Sequence, residues 1–245
     1  MISIFILKIF LIGKNFFIII GQLSNEKEDA MSEQNAHDKF IAAGSKLYPE
    51  LGYYKLSVRV LAAEAGLSSG MFHHLFTNKD VFILELLNHH NNYISANLDM
   101  AALSDNPFEK LRTMAQVLAE DIRNNLQLIH RMFADSANGV DVINHFIRTT
   151  SAKRMEIFRK VLEECGKLDN SVPATDVQRL GYFSAAVNAP MIIGSRFGQM
   201  DLLPDTIKGR VPDILTNEAI SERIDWCLNA MFPHHAKFTD KQEKS

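Results

Sequence analysis

Residues 57–80 gather side chains suited to gripping a polyanion rather than breaking a bond. Ser57, Ser68 and Ser69 supply hydroxyls, Arg59 and Lys79 supply fixed positive charge, and His73 and His74 supply imidazoles. Such groups bond phosphate oxygens and base edges. Catalytic patterns are missing: the chain contains no GxGxxG, Walker loop, HExxH or GxSxG. The pairs His89–His90 and His234–His235 are adjacent, so on a helix they do not share a face as metal ligands at i, i+4 would. No catalytic residue, metal or cofactor is therefore expected, and a helical enzyme is the minor alternative. Cys165 and Cys227 are far apart, with no Cys or His at ligand spacing. They read as small buried apolar residues in a reducing cytoplasm, with a redox-sensing thiol as the other reading.

Spacing makes a unit of these groups. The stretch SVRVLAAEAGLSSGMFHHLF, residues 57–76, reads as two short helices joined by a tight turn. Ser57 is a good N-cap for the first, which carries Val58, Leu61, Ala62 and Ala65 on its buried side. Ala62 and Ala65 are small enough for a close crossing, and Gly66 can take the positive φ that the turn requires. The second helix starts at Ser68 or Ser69, with Leu67 and Phe72 plugging the core between the two. Its remaining face points outward, where a major groove would accept it.

Neighbouring helices must hold this pair. Phe40, Ala43, Leu47 and Leu51 form one apolar face of a helix over residues 38–51, ended by Gly52 and kinked by Pro49. Thr77 and Asp80 have capping-box spacing and open a fourth helix running through Val81, Leu84 and Leu87 towards Leu98. Beyond the break at Asn106-Pro107, helices fit 107–124, 126–137, 141–166, 175–199 and 217–232, with a loop over 200–216. Pro190 should kink the helix over 175–199. The polar tail 234–245 reads as disordered.

Composition permits this reading without demanding it. The chain has 245 residues, 47% hydrophobic and 22% charged, with a net charge of -3. The overall basic balance of many nucleic-acid binders is absent, but phosphate contacts need only a local cationic surface.

The first twenty residues, MISIFILKIFLIGKNFFIII, have the length of a membrane span, but Lys8, Lys14 and Asn15 interrupt them. They also lack the charged leader and small-residue cleavage site of a signal peptide. Ile, Phe, Leu, Lys and Asn have AT-rich codons, and Lys27-Glu28 ahead of Met31 can be encoded as a ribosome-binding sequence. The expectation is that translation starts at Met31 and that 1–30 is a mis-assigned extension. A membrane-tethered regulator using residues 1–20 is the alternative.

Over residues 38–87 the chain resembles the TetR family of bacterial transcriptional regulators. The resemblance rests on Gly52-Tyr53, Ser57-Val58-Arg59, the run Ala62-Ala63-Glu64-Ala65-Gly66-Leu67-Ser68, Gly70, His73-His74-Leu75-Phe76 and Asn78-Lys79-Asp80. It implies an all-α fold: a three-helix helix-turn-helix DNA-binding domain over 31–80, then a larger helical ligand-binding and dimerisation domain over 81–233. By the same resemblance Ser57 caps helix two and touches a phosphate. Ser68, Ser69, Gly70 and Met71 open the recognition helix, and His73 and His74 contact phosphate or bases. Lys79 meets a phosphate at a positive helix end, and Arg59 reaches groove or backbone. Each has a plainer reading: exposed polar residues for the histidines, core for Met71, solvated surface for Lys79.

The chain departs from the family where the latter often has Lys, Thr and Tyr, here Ser69, Met71 and His73. The recognition helix then holds neither Lys nor Arg, so guanine cannot be read from it by a cation. Hydroxyl, thymine-methyl and imidazole contacts are expected instead, with binding strengthened at mildly acid pH.

In the second half, Met100, Met114, Met132, Phe133, Phe146, Phe158 and Phe183 are candidates to line an apolar cavity, or are plain core. His130, His145, Arg148 and Asn188 are candidates to orient a ligand. Gly181, Ala185, Ala186, Ala189 and Gly194, with Ile220, Ile224, Cys227, Leu228 and Met231, suggest a four-helix dimer interface. The expected partners are a double-stranded palindromic operator, a second copy of the chain and a small apolar effector that releases a cytoplasmic repressor from DNA.

Overall fold

The computed structural model describes residues 33–239, and every regular element among them is helical. The expectations for 1–30 and for the tail beyond 239 fall outside the described residues. The elements are α1 (residues 33–55), α2 (Val58–Ala65), α3 (Ser69–Leu75), α4 (Lys79–Ala101), α5 (Pro107–Asn124) and α6 (Leu126–Ala137). They continue with α7 (Asp141–Leu168), α8 (Asp176–Val187), α9 (Ala189–Gln199), α10 (Asp205–Lys208), a 3-10 turn (Val211–Leu215), α11 (Asn217–Met231) and α12 (Ala236–Thr239). Among the described residues no helix is long and apolar enough to cross a membrane.

Two compact units divide these elements. The first takes residues 33–47 and 56–82, and the second takes 48–55 and 83–239. In the first, Phe40, Phe72, Phe76 and Phe82 are fully buried and meet ring to ring. Centroids lie 5.4 Å apart for Phe40–Phe72, 5.3 Å for Phe72–Phe82 and 5.0 Å for Phe76–Phe82. Each such burial stabilises by about 1.5–3 kcal/mol, which matters in a unit this small. Leu61 and Ala62 complete the core under α2, while Val58, Ala65 and Leu67 are half-buried.

α1 begins earlier than the expected Asp38. Ala36 is buried one turn before Phe40, and the His37 ring lies 5.1 Å from that of Phe76. The apolar stripe therefore starts one turn upstream of the first large hydrophobic residue. α1 also continues past Gly52, although that residue has a φ of +70°.

The second unit is a bundle in which α7 packs on α8, and α11 on α5 and α8. Its core joins Leu111 and Met114 of α5, Phe158, Leu162 and Cys165 of α7, Phe183 and Val187 of α8, and most of the apolar face of α11. The long helix over 175–199 is interrupted at Asn188, so it becomes α8 and α9. Pro190, in the first turn of α9, has no N–H to continue the ladder of α8. The loop over 200–216 contains α10 and the 3-10 turn.

One expectation needs correction. Ile220, Ile224, Cys227, Leu228 and Met231 are all buried within the protomer, so they are core and not a face for a second copy. At the start of the tail the His234 N–H donates to Asp169 Oδ2 at 2.7 Å, and α12 follows.

Candidate functional site

α2 and α3 are each set by a serine. Ser57 lies in extended conformation, and its Oγ accepts the Val60 N–H at 3.3 Å. Ser68 does the same for Met71 at 3.1 Å. Each satisfies one of the donors that a helix start leaves unpaired. Between them Gly66 takes a φ of 66°, its N–H bonds Ala63 O at 3.3 Å, and the Leu67 N–H bonds Ala62 O at 2.9 Å. That is a Schellman closure, which a glycine enters without steric cost.

This turn presents α3 with Phe72 inward and Ser69, Gly70, His73 and His74 exposed; Met71 is half-buried. Among the described residues nothing requires glycine at position 70, where a Cβ would meet only Ser68 Oγ at 3.6 Å. The missing side chain opens the surface for close approach from outside. The two histidines differ: His74 Nε2 lies 2.8 Å from Glu33 Oε1, whereas His73 makes no hydrogen bond to any described residue. Ser57 and Arg59 are exposed on α2, and Arg59 has no ion-pair partner among the described residues.

Lys79 is the first residue of α4, half-buried at the positive end of that helix. The cap there is not Thr77: Asn78 Oδ1 accepts the Val81 N–H at 3.0 Å. Asn fills this role because its short carbonyl reaches back to the third residue of the helix. Ser57, Arg59, Ser68, Ser69, Gly70, Met71, His73, His74 and Lys79 thus belong to one small unit, with α3 framed by the starts of α2 and α4.

The second unit holds an apolar cleft of about 460 Å³. Met132, Phe133, Phe146 and Asn188 line it, with Ile129 and Ile192 among its other walls. A smaller recess of about 70 Å³, bounded by Phe158, Phe183 and Val187, shares Leu118, Arg154, Met155, Ser184 and Asn188 with the cleft. Two candidates lie elsewhere. Met114 is sealed in the bundle core, and Met100 is exposed beside a separate, more polar cavity lined by His90 and Asp121. Of the other polar candidates, His130 is buried and pairs with Ile192 O at 2.9 Å, while His145 and Arg148 are exposed on α7. Arg154, not among the candidates, enters the cleft from α7.

α6 has two working faces. Ile129, Met132 and Phe133 line the cleft, while Arg131 and Asp135 face the end of α1. The Arg131 guanidinium donates to Pro49 O at 3.4 Å and Glu50 O at 3.1 Å, and Asp135 Oδ2 accepts the Tyr53 N–H at 2.8 Å. Sequence spacing gave no signal for this clamp, because its partners lie some eighty positions apart. Among the described residues no cluster of His, Cys, Asp and Glu could hold a metal ion. Both cysteines are free and buried.

Residues 40–86 match the family described as bacterial regulatory proteins, tetR family. No curated protein matches the chain by sequence. Among solved structures, a transcriptional regulator from Rhodococcus sp. Rha1 is 21% identical, with a TM-score of 0.57 over 79% of this chain and 96% of that one. A TetR-family transcriptional regulator from Streptomyces coelicolor is 14% identical, with a TM-score of 0.61 over 81% of this chain and 96% of that one. The transcriptional regulator FadR from Bacillus subtilis, solved in complex with stearoyl-CoA, is 15% identical, with a TM-score of 0.54 over 72% of this chain and 96% of that one. The capped pair α2–α3, the outward face of α3 and the match over 40–86 agree, and the chain carries the helix-turn-helix DNA-binding domain of the tetR family of bacterial regulatory proteins.

Proposed function

We propose that the chain is a homodimeric transcriptional repressor, released from a palindromic operator when an apolar small molecule enters the cleft lined by α6 and α7. The observation that carries the DNA-binding half is the outward face of α3: exposed hydroxyls and imidazoles, with open space at Gly70. One short helix gives weak affinity, and two half-sites multiply it.

The dimer face in this reading is the exposed side of α8 and α11. Val177, Gly181, Tyr182 and Ala185 are exposed on α8, and Trp226 on α11 is 63% exposed. Small residues let a second helix approach, and the large aromatics supply area to bury. A Trp226→Glu substitution is expected to shift the protein to monomer in light scattering.

The effector half rests on the cleft and on α6. A ligand moves an equilibrium only if it binds two states differently. α6 lines the cleft on one side and holds residues 49–53 of α1 on the other. A shift of α6 that fits a ligand therefore changes the anchorage of α1. The acyl chain in the FadR complex supports a long apolar molecule as the effector class.

A gel shift with the DNA upstream of the gene, at low salt, tests the whole reading. Retardation by a palindromic segment, reversed by an apolar ligand, is the expected result. Failure to bind any palindrome there removes the repressor assignment.

A further inference from the structure

We infer that the apolar cleft takes a chain ending in a free carboxylate, received by Arg154. This inference rests on the effector reading above and adds the chemistry of the ligand's head.

Arg154, on α7, lines the cleft and the recess behind it, whose walls are mainly Leu, Ile, Met and Phe, and also a more polar groove with Asn91 and Asp99. Among the described residues its one hydrogen bond goes to a neutral acceptor, with Nη2 donating to Asn91 Oδ1 at 2.7 Å, and its buried Nε has no partner. No carboxylate among the described residues lies within ion-pair distance of the guanidinium. Asp121 acts on it only through space, and is itself occupied by Asn125 at 2.8 Å and His90 at 3.5 Å. Burial pulls the Arg154 pKa below its ordinary range, with Asp121 opposing. An arginine in such surroundings keeps its proton, so the site contains a desolvated charge with no close counter-ion.

The same walls hold a second unsatisfied group. Asn188 Oδ1 is buried without a partner among the described residues. Thr150, Ser151 and Ser184 add hydroxyls along the cleft. A polar ligand head that bonds both atoms would satisfy two groups that the described residues leave unpaired on one cleft. Ligand sites commonly have this make-up: apolar walls, with a few placed polar groups that set orientation.

The charge selects the head. A carboxylate presents two acceptor oxygens in the plane a guanidinium fork requires. An alcohol leaves the cation uncompensated, and an ammonium is repelled by it. The Asn188 amide can turn to offer its NH₂ to the same oxygens. The rest of the cleft has room for an apolar chain.

Calorimetric titration of the full chain with decanoate, decanol, decyltrimethylammonium and decanoyl-CoA tests this. Decanoate is expected to bind more tightly than decanol by about tenfold or more, the worth of a charged hydrogen-bonded pair. Decyltrimethylammonium should bind most weakly. In Arg154→Met the preference for decanoate disappears while decanol affinity stays; Arg154→Lys retains part of it. If Arg154→Met does not fold, Asn188→Asp serves in its place: the introduced carboxylate should weaken decanoate and spare decanol. Equal affinity for decanoate and decanol, or an unchanged ratio in these variants, overturns the carboxylate head and leaves an apolar effector standing. Tighter binding of decanoyl-CoA than of decanoate overturns the free acid. Failure of every decyl compound to bind overturns both the head group and the apolar effector.

Discussion

Gly52 and Arg131 compete for one small volume: a Cβ on Gly52 would lie 2.8 Å from Arg131 Cδ and 2.9 Å from its Nη1. The φ of +70° at Gly52 is strained for any other residue. The glycine therefore does two things, bending the end of α1 and admitting the guanidinium that bonds Pro49 O and Glu50 O. Gly52→Ala is expected to destabilise the protein by about 1 kcal/mol or more in urea denaturation. Arg131→Met should also destabilise it, because it leaves those two carbonyls with one less donor each. Unchanged midpoints in both variants would show that the clamp contributes nothing.

The two serine caps give a second prediction. Ser57→Ala and Ser68→Ala are each expected to cost about 0.5–2 kcal/mol of stability. Ser→Gly at either position should cost only a few tenths of that scale, since glycine tolerates the cap conformation. Operator binding should fall more than global stability for Ser68, whose helix carries the outward face. Equal effects of Ala and Gly would argue against capping as the role of these hydroxyls.

Lys79 and Met71 should fail in different ways. In the proposed DNA-binding reading Lys79 meets a phosphate, so Lys79→Ala should weaken binding alike on all sequences, and the slope of log affinity against log salt should fall by about 1 per protomer. Met71→Ala should instead relax the preference at one operator position and leave the salt slope unchanged. Affinity measured over a salt series, on operator and on random duplex, separates the two. A sequence-specific defect in Lys79→Ala would overturn its assignment.

The thiols provide a fourth test. Burial, with Glu164 adding to it, pushes Cys165 up to about 12, and burial pushes Cys227 up to about 11. Both thiols are then protonated at neutral pH, and the reactive thiolate is scarce. Iodoacetamide at pH 8 should label the native protein slowly and the urea-denatured protein quickly, as read by mass spectrometry. Fast labelling of either cysteine in the native state would revive the redox-sensing alternative.

The legible part of this fold was local. Ser57, Gly66 and Ser68 announce their turns because caps and left-handed glycines act within four residues of themselves. Helix periodicity located α5 to α7 closely, for the same reason. What escaped was set by distant partners. His37 and Glu33 extend α1 only because Phe76 and His74 are there to meet them. Apolar spacing on α11 showed a buried face but not which body buries it; Ile220 to Met231 turned inward, and the exposed Trp226 stood out only once the helix was placed. Arg154 reads as one of many surface arginines, because nothing in its neighbourhood along the chain tells that its Nε is buried. Met114 and Met132 are chemically alike, and only packing assigns one to the core and the other to the cleft.

The missing cations on α3 bear on how such a protein spends its time in a genome. Attraction to arbitrary duplex is mostly a matter of charge, and every random stretch competes with the operator for each molecule. Ser69, Met71, His73 and His74 add little to that background, so fewer copies of the protein are held on irrelevant DNA. A small pool can then keep one promoter occupied. The same economy flattens the response to salt, so occupancy of the operator follows ionic strength less steeply than it would with a cationic reading helix.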